Sequence, residues 1–161
     1  MAYTVFRSDL LSGTDVAADL VNVRVYDGSN PIAVENGTIV EITGQEEGNR
    51  EVFKAKLATS ASEVGKCAIV GSDETMYDER KKNIDEFINE AGTIARGYIP
   101  RSRNMFSITK EGFAGGKVPT GTGVAVGIGA NGKLDTAGTG FGTVVAIEKT
   151  RRYTYYVIKI D

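Results

Sequence analysis

Short alternating segments separated by glycine constrain the fold of this chain more than any other feature. Val21, Val23 and Val25 alternate with polar or larger side chains. Strict alternation of this kind indicates a β-strand with one buried face. Similar segments recur to the end of the chain, whose 161 residues include 20 glycines and 3 prolines. The pattern predicts a mainly β fold, either a small β-barrel or a sandwich.

Turn signals divide these segments. Asn36-Gly37 separates residues 31–35 from 38–43, and Asn131-Gly132 lies in a glycine-rich stretch. Asn and Gly tolerate positive φ, so each pair predicts a hairpin. Further strands are expected at residues 52–58, 66–71, 93–99, 105–109, 141–149 and 153–160. A chain of this length can bury a sufficient core without metal or disulfides, so residues 21–161 are predicted to form one β-rich domain.

One short α-helix is expected after residue 82. Asn83 and Glu86 have the spacing of a capping box, and Ile84, Phe87 and Ile88 form an apolar stripe at helical spacing. Gly92 supplies a C-terminal stop.

Residues 1–20 lack a regular period and are predicted to form an extended N-terminal arm. Its apolar residues, which are the candidate contacts with a neighbouring molecule, are Tyr3, Val5, Phe6, Leu10 and Leu11. Apolar side chains on an arm need a neighbour to cover them. The alternative is a strand that pairs back onto its own domain.

The composition excludes several kinds of chemistry. The chain has no His, no Trp and a single Cys, which excludes Ser-His-Asp and Cys-His catalysis and His-bearing zinc sites. The acidic stretch at residues 73–79 lacks EF-hand spacing, and residues 127–134 end in Leu134 where a P-loop requires Ser or Thr. We therefore expect no enzyme, no catalytic residues, no cofactor and no metal. Cys67, in an apolar run, is expected to be a small buried side chain in a protein made in a reducing cytosol.

Charge is unevenly distributed along the chain. The formal net charge is −2, which argues against nucleic acid as a partner, and no stretch approaches the ~20 apolar residues of a membrane helix. Residues 73–90 are acidic, whereas residues 96–110 and 149–152 are basic. Arginine pairs well with carboxylates at protein interfaces, which makes four arginines candidate polar contacts: Arg101, Arg103, Arg151 and Arg152.

The order of several segments resembles the head decoration, auxiliary or head-fibre proteins of tailed phages that infect Gram-positive bacteria. The segments are EAGTIARGY at 90–98, NMFSIT at 104–109, GKVP at 116–119, NGKL at 131–134, FGTVVAIE at 141–148 and YYVIKI at 155–160. The resemblance implies a structural virion protein, made in the host cytoplasm, that binds the capsid exterior and stabilises the head by bridging major capsid protein subunits. It also implies a homo-oligomer, with a trimer favoured. The apolar arm residues and the four arginines would then be its capsid or oligomer contacts.

Two other functions remain open. One is an adhesive or host-surface module that binds glycans, although sugar sites commonly use stacked aromatic residues and the chain has no Trp. The other is an enzyme, because residues 100–102 and 140–143 resemble two fragments of trimeric dUTPases. However, the sequence has no Asp in a convincing setting to activate water.

Overall fold

The computed structural model describes residues 2–9, 11, 19–78, 80 and 82–161. The fold is mainly β, as predicted, with 43% of the chain in strands. The strands are β1 (Phe6–Arg7), β2 (Leu20–Asp27), β3 (Asn30–Pro31), β4 (Ile39–Glu46), β5 (Asn49–Leu57), β6 (Cys67–Val70), β7 (Ala95–Tyr98), β8 (Met105–Ile108), β9 (Ala125–Ile128), β10 (Leu134–Asp135), β11 (Gly142–Lys149) and β12 (Thr154–Ile160). Single 3₁₀ turns lie at Val64–Lys66, Ile84–Glu86, Lys110–Gly112, Ala114–Gly116 and Ala130–Gly132.

The first sheet closes into a small barrel. Its strand order is β3-β2-β5-β4-β6-β7, and β2 also pairs with β7, from Leu20 opposite Tyr98 to Val23 opposite Ala95. Strands β2 and β5 are parallel, whereas the other pairs are antiparallel. The predicted alternation of β2 is confirmed, because Val23 and Val25 are buried inside the barrel and Val21 packs against them.

The second sheet packs against the outside of this barrel. Its strand order is β1-β8-β12-β11-β9-β10, and all of its pairs are antiparallel. Phe106, Phe141 and Ile158 of this layer share one core with Ile39 of β4 and Ile69 of β6. The barrel wall formed by β4 and β6 therefore separates two cores.

This arrangement explains why β6 is continuously apolar. Cys67 and Ile69 face the core between the layers, whereas Ala68 and Val70 face the barrel interior. All four residues are buried, because a strand covered on both faces has no position left for polar side chains. The prediction that Cys67 is a small buried side chain is confirmed.

The two layers meet closely at Gly132. Its φ is +68°, and its N–H donates to the carbonyl of Ala58 at 2.9 Å. A Cβ at this position would overlap the carbonyl oxygen of Ile39. The predicted Asn131-Gly132 hairpin is confirmed, because it joins the antiparallel pair of β9 and β10.

The described part of the N-terminal segment lies on its own domain. Phe6 pairs with Ile108 and Arg7 with Ser107, and Val5 and Thr109 exchange hydrogen bonds at 3.1 Å. Of the two arrangements left open above, residues 4–7 show the strand that pairs back.

Two local predictions were wrong. The expected helix is a single 3₁₀ turn at Ile84–Glu86, because Phe87 is extended and Asn89 forms backbone hydrogen bonds in both directions with Val34. The expected hairpin at Asn36-Gly37 does not form either, because β4 pairs with β5 and β6 on its two edges and β3 pairs with β2. The side chain of Asn36 instead bonds the backbone of Ser72 in both directions, at 2.8 and 3.0 Å. No helix among the described residues is long and apolar enough to cross a membrane.

Candidate functional site

Two polar surfaces on the second layer are candidate contact sites. The first, which we call the arginine turn, is the connection between β7 and β8 at residues 100–104. The second, which we call the Arg–Tyr face, consists of Arg7, Arg152, Tyr153 and Tyr155 at the β11–β12 hairpin.

Backbone hydrogen bonds hold the arginine turn rigidly. The N–H of Arg103 donates to the carbonyl of Ile160 at 2.9 Å, and the N–H of Ile160 donates to the carbonyl of Asn104 at 2.9 Å. The side-chain oxygen of Asn104 also accepts from the N–H of Arg101 at 3.2 Å. The turn is therefore fixed to the last strand of the chain by two backbone hydrogen bonds, one donated by the turn and one accepted by it.

The two arginines of this turn differ in their surroundings. Arg101 donates from its Nε to Asp19 at 2.5 Å. Arg103 is exposed, and its side chain has no hydrogen bond or ion pair with the part of the chain that the structure describes. Its φ is +75°, a conformation that costs an L-residue other than Gly roughly 1–2 kcal/mol. The sequence singled out Arg103, but its strained backbone could not be predicted from residue type.

The Arg–Tyr face begins at Arg7. Its guanidinium donates to Asp9 at 2.6 and 3.1 Å and to Glu148 at 3.1 Å, and its Cζ lies 5.0 Å from the ring centre of Tyr155. The Asp9 side chain, which accepts these hydrogen bonds, raises the pKa of Arg7, and in return Arg7 lowers the pKa of Asp9. Sequence analysis missed Arg7, because only the pairing of β1 with β8 brings it to β12.

Arg152 and Tyr153 continue the same face. Arg152 donates to Asn83 at 2.8 Å, lies 3.5 Å from an oxygen of Asp85, and places its Cζ 5.4 Å from the ring centre of Tyr153. The rings of Tyr153 and Tyr155 are 6.0 Å apart. Burial raises the pKa of both tyrosines; Tyr155 is buried, and Tyr153 is half-buried with its hydroxyl inside. The guanidinium of Arg152 is the exposed group of this face, and arginine suits contacts with carboxylates and aromatic groups of another protein.

A cleft of about 370 Å³ adjoins this face. Its walls include Lys110 and Arg152 on the basic side and Asp85 and Glu111 on the acidic side. Charges of both signs line the cleft, so its electrostatics select no single class of ligand.

The structure separates the other predicted contact residues. Val5, Phe6 and Leu11 are buried in this chain's own core, with exposed fractions of 2%, 6% and 7%. Tyr3 is half-buried, and its N–H donates to the carbonyl of Asp85 at 2.8 Å. Leu10 lies outside the described residues. Arg151 is exposed at the tip of the β11–β12 hairpin, next to Arg152 in sequence, whereas the arginine turn lies between β7 and β8.

The described residues contain no group of three or more side chains placed to hold a metal ion. An exposed aromatic residue that sequence analysis did not single out is Tyr77, the most exposed large apolar side chain described. Comparison of the chain with protein-family models, with curated proteins and with solved structures finds no match.

Proposed function

We propose that this protein is a structural component of a phage virion that binds the outer surface of the capsid and stabilises the head by bridging major capsid protein subunits. The proposal extends to a homo-oligomer on the capsid exterior that binds no nucleic acid and catalyses no reaction. The resemblance of roughly residues 35–161 to head decoration proteins suggests this class, and Arg103 supports a binding function.

Arg103 is the observation that carries the proposal. The side chain of Arg103 forms no hydrogen bond or ion pair with the described residues. Its backbone, which bonds Ile160 through the N–H, lies at a positive φ that glycine would adopt without strain. Strained residues persist where the surrounding structure over-determines their conformation, and they cluster at functional sites. A guanidinium on a rigid turn suits bidentate pairing with a carboxylate of another protein.

The test is co-sedimentation of the purified protein with expanded phage heads that lack it, with unexpanded heads as the comparison. We expect saturable pelleting with expanded heads at a fixed copy number per capsid subunit. The variant Arg103→Gly should bind at least about tenfold more weakly, because a lost charged contact typically costs more than 1.4 kcal/mol. Its fold should be slightly more stable than that of the wild type.

Arg50→Gly is a matched control, because Arg50 is also an exposed arginine but lies in β5 on the barrel. It should leave head binding unchanged. Absence of pelleting with either type of head would overturn the proposal, and retention of the protein on host cell wall would then favour the adhesive alternative. Equal binding by Arg103→Gly and the wild type would remove Arg103 from the contact.

A further inference from the structure

The outer edge of β11 lacks a partner over half of its length. Strand β11 pairs with β12 from Gly142 to Lys149 but with β9 only at Gly142 and Thr143. On the same side, the N–H of Val144 donates to the carbonyl of Val124, and the carbonyl of Val144 accepts from the N–H of Gly123. From Val145 to Lys149, none of the described residues forms a backbone hydrogen bond with the outer edge of β11. The side chain of Val145 in this stretch is 40% exposed.

The hairpin turn determines which backbone groups point outward. The N–H of Thr150 donates to the carbonyl of Tyr153 at 2.8 Å, so the backbone polar groups of Thr150 point towards the β12 side of the hairpin. In an antiparallel ladder the direction of N–H and C=O alternates, and Lys149 stands opposite Thr154 as the next pair. The N–H and C=O of Lys149 and of Ile147 therefore point to the open edge, where a further strand could bond them.

The end of this edge is basic. Lys149 and Arg151 are exposed, and neither has an acidic partner within the described ranges. Arg152, by contrast, is already paired with Asp85. A strand that lies along β11 with its end at the hairpin tip would therefore be stabilised by acidic side chains.

The same chain presents such a segment. Residues 73–78 read DETMYD and belong to neither sheet. The side chain of Asn36 bonds the backbone of Ser72, the residue that precedes this segment. Asp73 is exposed and forms no ion pair with any described residue. Tyr77, near the end of the segment, is fully exposed. Of the other two carboxylates, Glu74 accepts a hydrogen bond from Asn36 at 3.3 Å and Asp78 lies 3.5 Å from Nε of Arg80. The segment thus offers the carboxylate of Asp73 for a basic surface and the ring of Tyr77 to cover Val145.

We infer that residues 73–78 of one copy dock on the open edge of β11 of a second copy, with the carboxylate of Asp73 against Lys149 and Arg151. The contact is head-to-tail, because it joins two different surfaces of the same chain, and it leaves a free surface of each kind for further copies. It deepens the homo-oligomer of the proposed function by naming its surfaces. Its test uses the isolated protein, so its failure leaves the capsid-binding test unaffected.

The experiment measures the molar mass of the full chain by sedimentation velocity over a range of concentrations, at low salt and at about 1 M salt, where charges are screened beyond ~3 Å. We expect a mass that rises with concentration at low salt and falls towards the monomer at high salt. Arg151→Glu and Asp73→Lys should each weaken association at least about tenfold, because each places like charges together. An equimolar mixture of the two variants should associate again, since each supplies the surface that the other has lost.

A backbone variant tests the edge separately. Lys149→Pro removes the outward N–H but keeps the hydrogen bonds to β12, a position where an edge strand tolerates proline. Lys149→Ala removes the charge alone, so the proline variant should associate more weakly than the alanine variant. Circular dichroism and thermal unfolding establish that both are folded.

Two results would overturn the inference. The first is a wild-type chain that stays monomeric at every concentration and salt. The second is association that Arg151→Glu, Asp73→Lys and Lys149→Pro leave unchanged. If the chain is monomeric and Lys149→Pro reduces its binding to phage heads, the occupant of the edge is a capsid segment.

Discussion

The carboxylate of Glu35 accepts two hydrogen bonds from Thr4, from the backbone N–H at 2.8 Å and from the hydroxyl at 2.7 Å. Its other oxygen lies 3.4 Å from Nζ of Lys133. Lys133 also donates to the carbonyl of Glu111 at 2.6 Å. One half-buried carboxylate thus joins the N-terminal segment to the loop after β3 and to the β9–β10 hairpin.

Removal of this carboxylate should loosen the N-terminal segment. Glu35→Ala leaves the N–H and the hydroxyl of Thr4 without their acceptor, and we expect the free energy of unfolding to fall by about 1–3 kcal/mol. Chemical denaturation measures this change, and hydrogen exchange should show faster exchange at Thr4. Glu47→Ala, at the exposed β4–β5 turn, is the control. Equal stability of the two variants would contradict a stabilising function of Glu35.

The close approach of the two layers at Gly132 predicts a large effect of a single methyl group. Gly132→Ala and Gly48→Ala both place alanine at positive φ, +68° and +75°. A Cβ at Gly132 would overlap the backbone of Ile39, whereas nothing lies within 4 Å of a Cβ at Gly48. Overpacking should make Gly132→Ala less stable than Gly48→Ala by about 1–3 kcal/mol. Thermal unfolding of the two variants isolates the contact, because backbone strain is common to both.

Stability should fall in acid and change little near neutral pH. Hydrogen bonds from Arg7 lower the pKa of Asp9 and one from Ser62 lowers the pKa of Glu41. A carboxyl whose pKa is lower in the folded state stabilises the fold above its unfolded pKa, about 4, and this contribution is lost as the pH falls through the folded value. No His titrates between pH 6 and 8.

Melting temperatures measured from pH 2 to 8 test this expectation. Asp9→Asn and Glu41→Gln should each reduce the loss of stability in acid, by a modest amount because Asp9 and its ion pair with Arg7 are exposed. A melting temperature that rises below pH 4 would contradict the sign of the effect.

The Cys67 thiol should be inert in the folded protein. It is fully buried between the layers, and burial raises its pKa to about 11, so thiolate is scarce at neutral pH. We expect no modification by a thiol reagent at pH 8 under native conditions and one modified thiol per chain in denaturant. Rapid native modification would show that the two layers open readily.

The alternating valines of β2 and the Asn131-Gly132 turn could be predicted from the sequence, because side-chain direction and positive φ depend on residues next to one another. Arg103 was identified as a contact candidate for its chemistry alone. Its positive φ follows from hydrogen bonds to Ile160, a residue distant in sequence.

The sequence by itself determined the strand character, the turns rich in glycine and the absence of histidine chemistry. Only the tertiary structure decided that β2 closes a barrel with β7, that Asn89 pairs with Val34 in place of continuing a helix, and that Arg7 lies over Tyr155. The physical reason is that each of these contacts joins residues far apart in the chain. Their free energy comes from shared burial and pairing that no single segment contains.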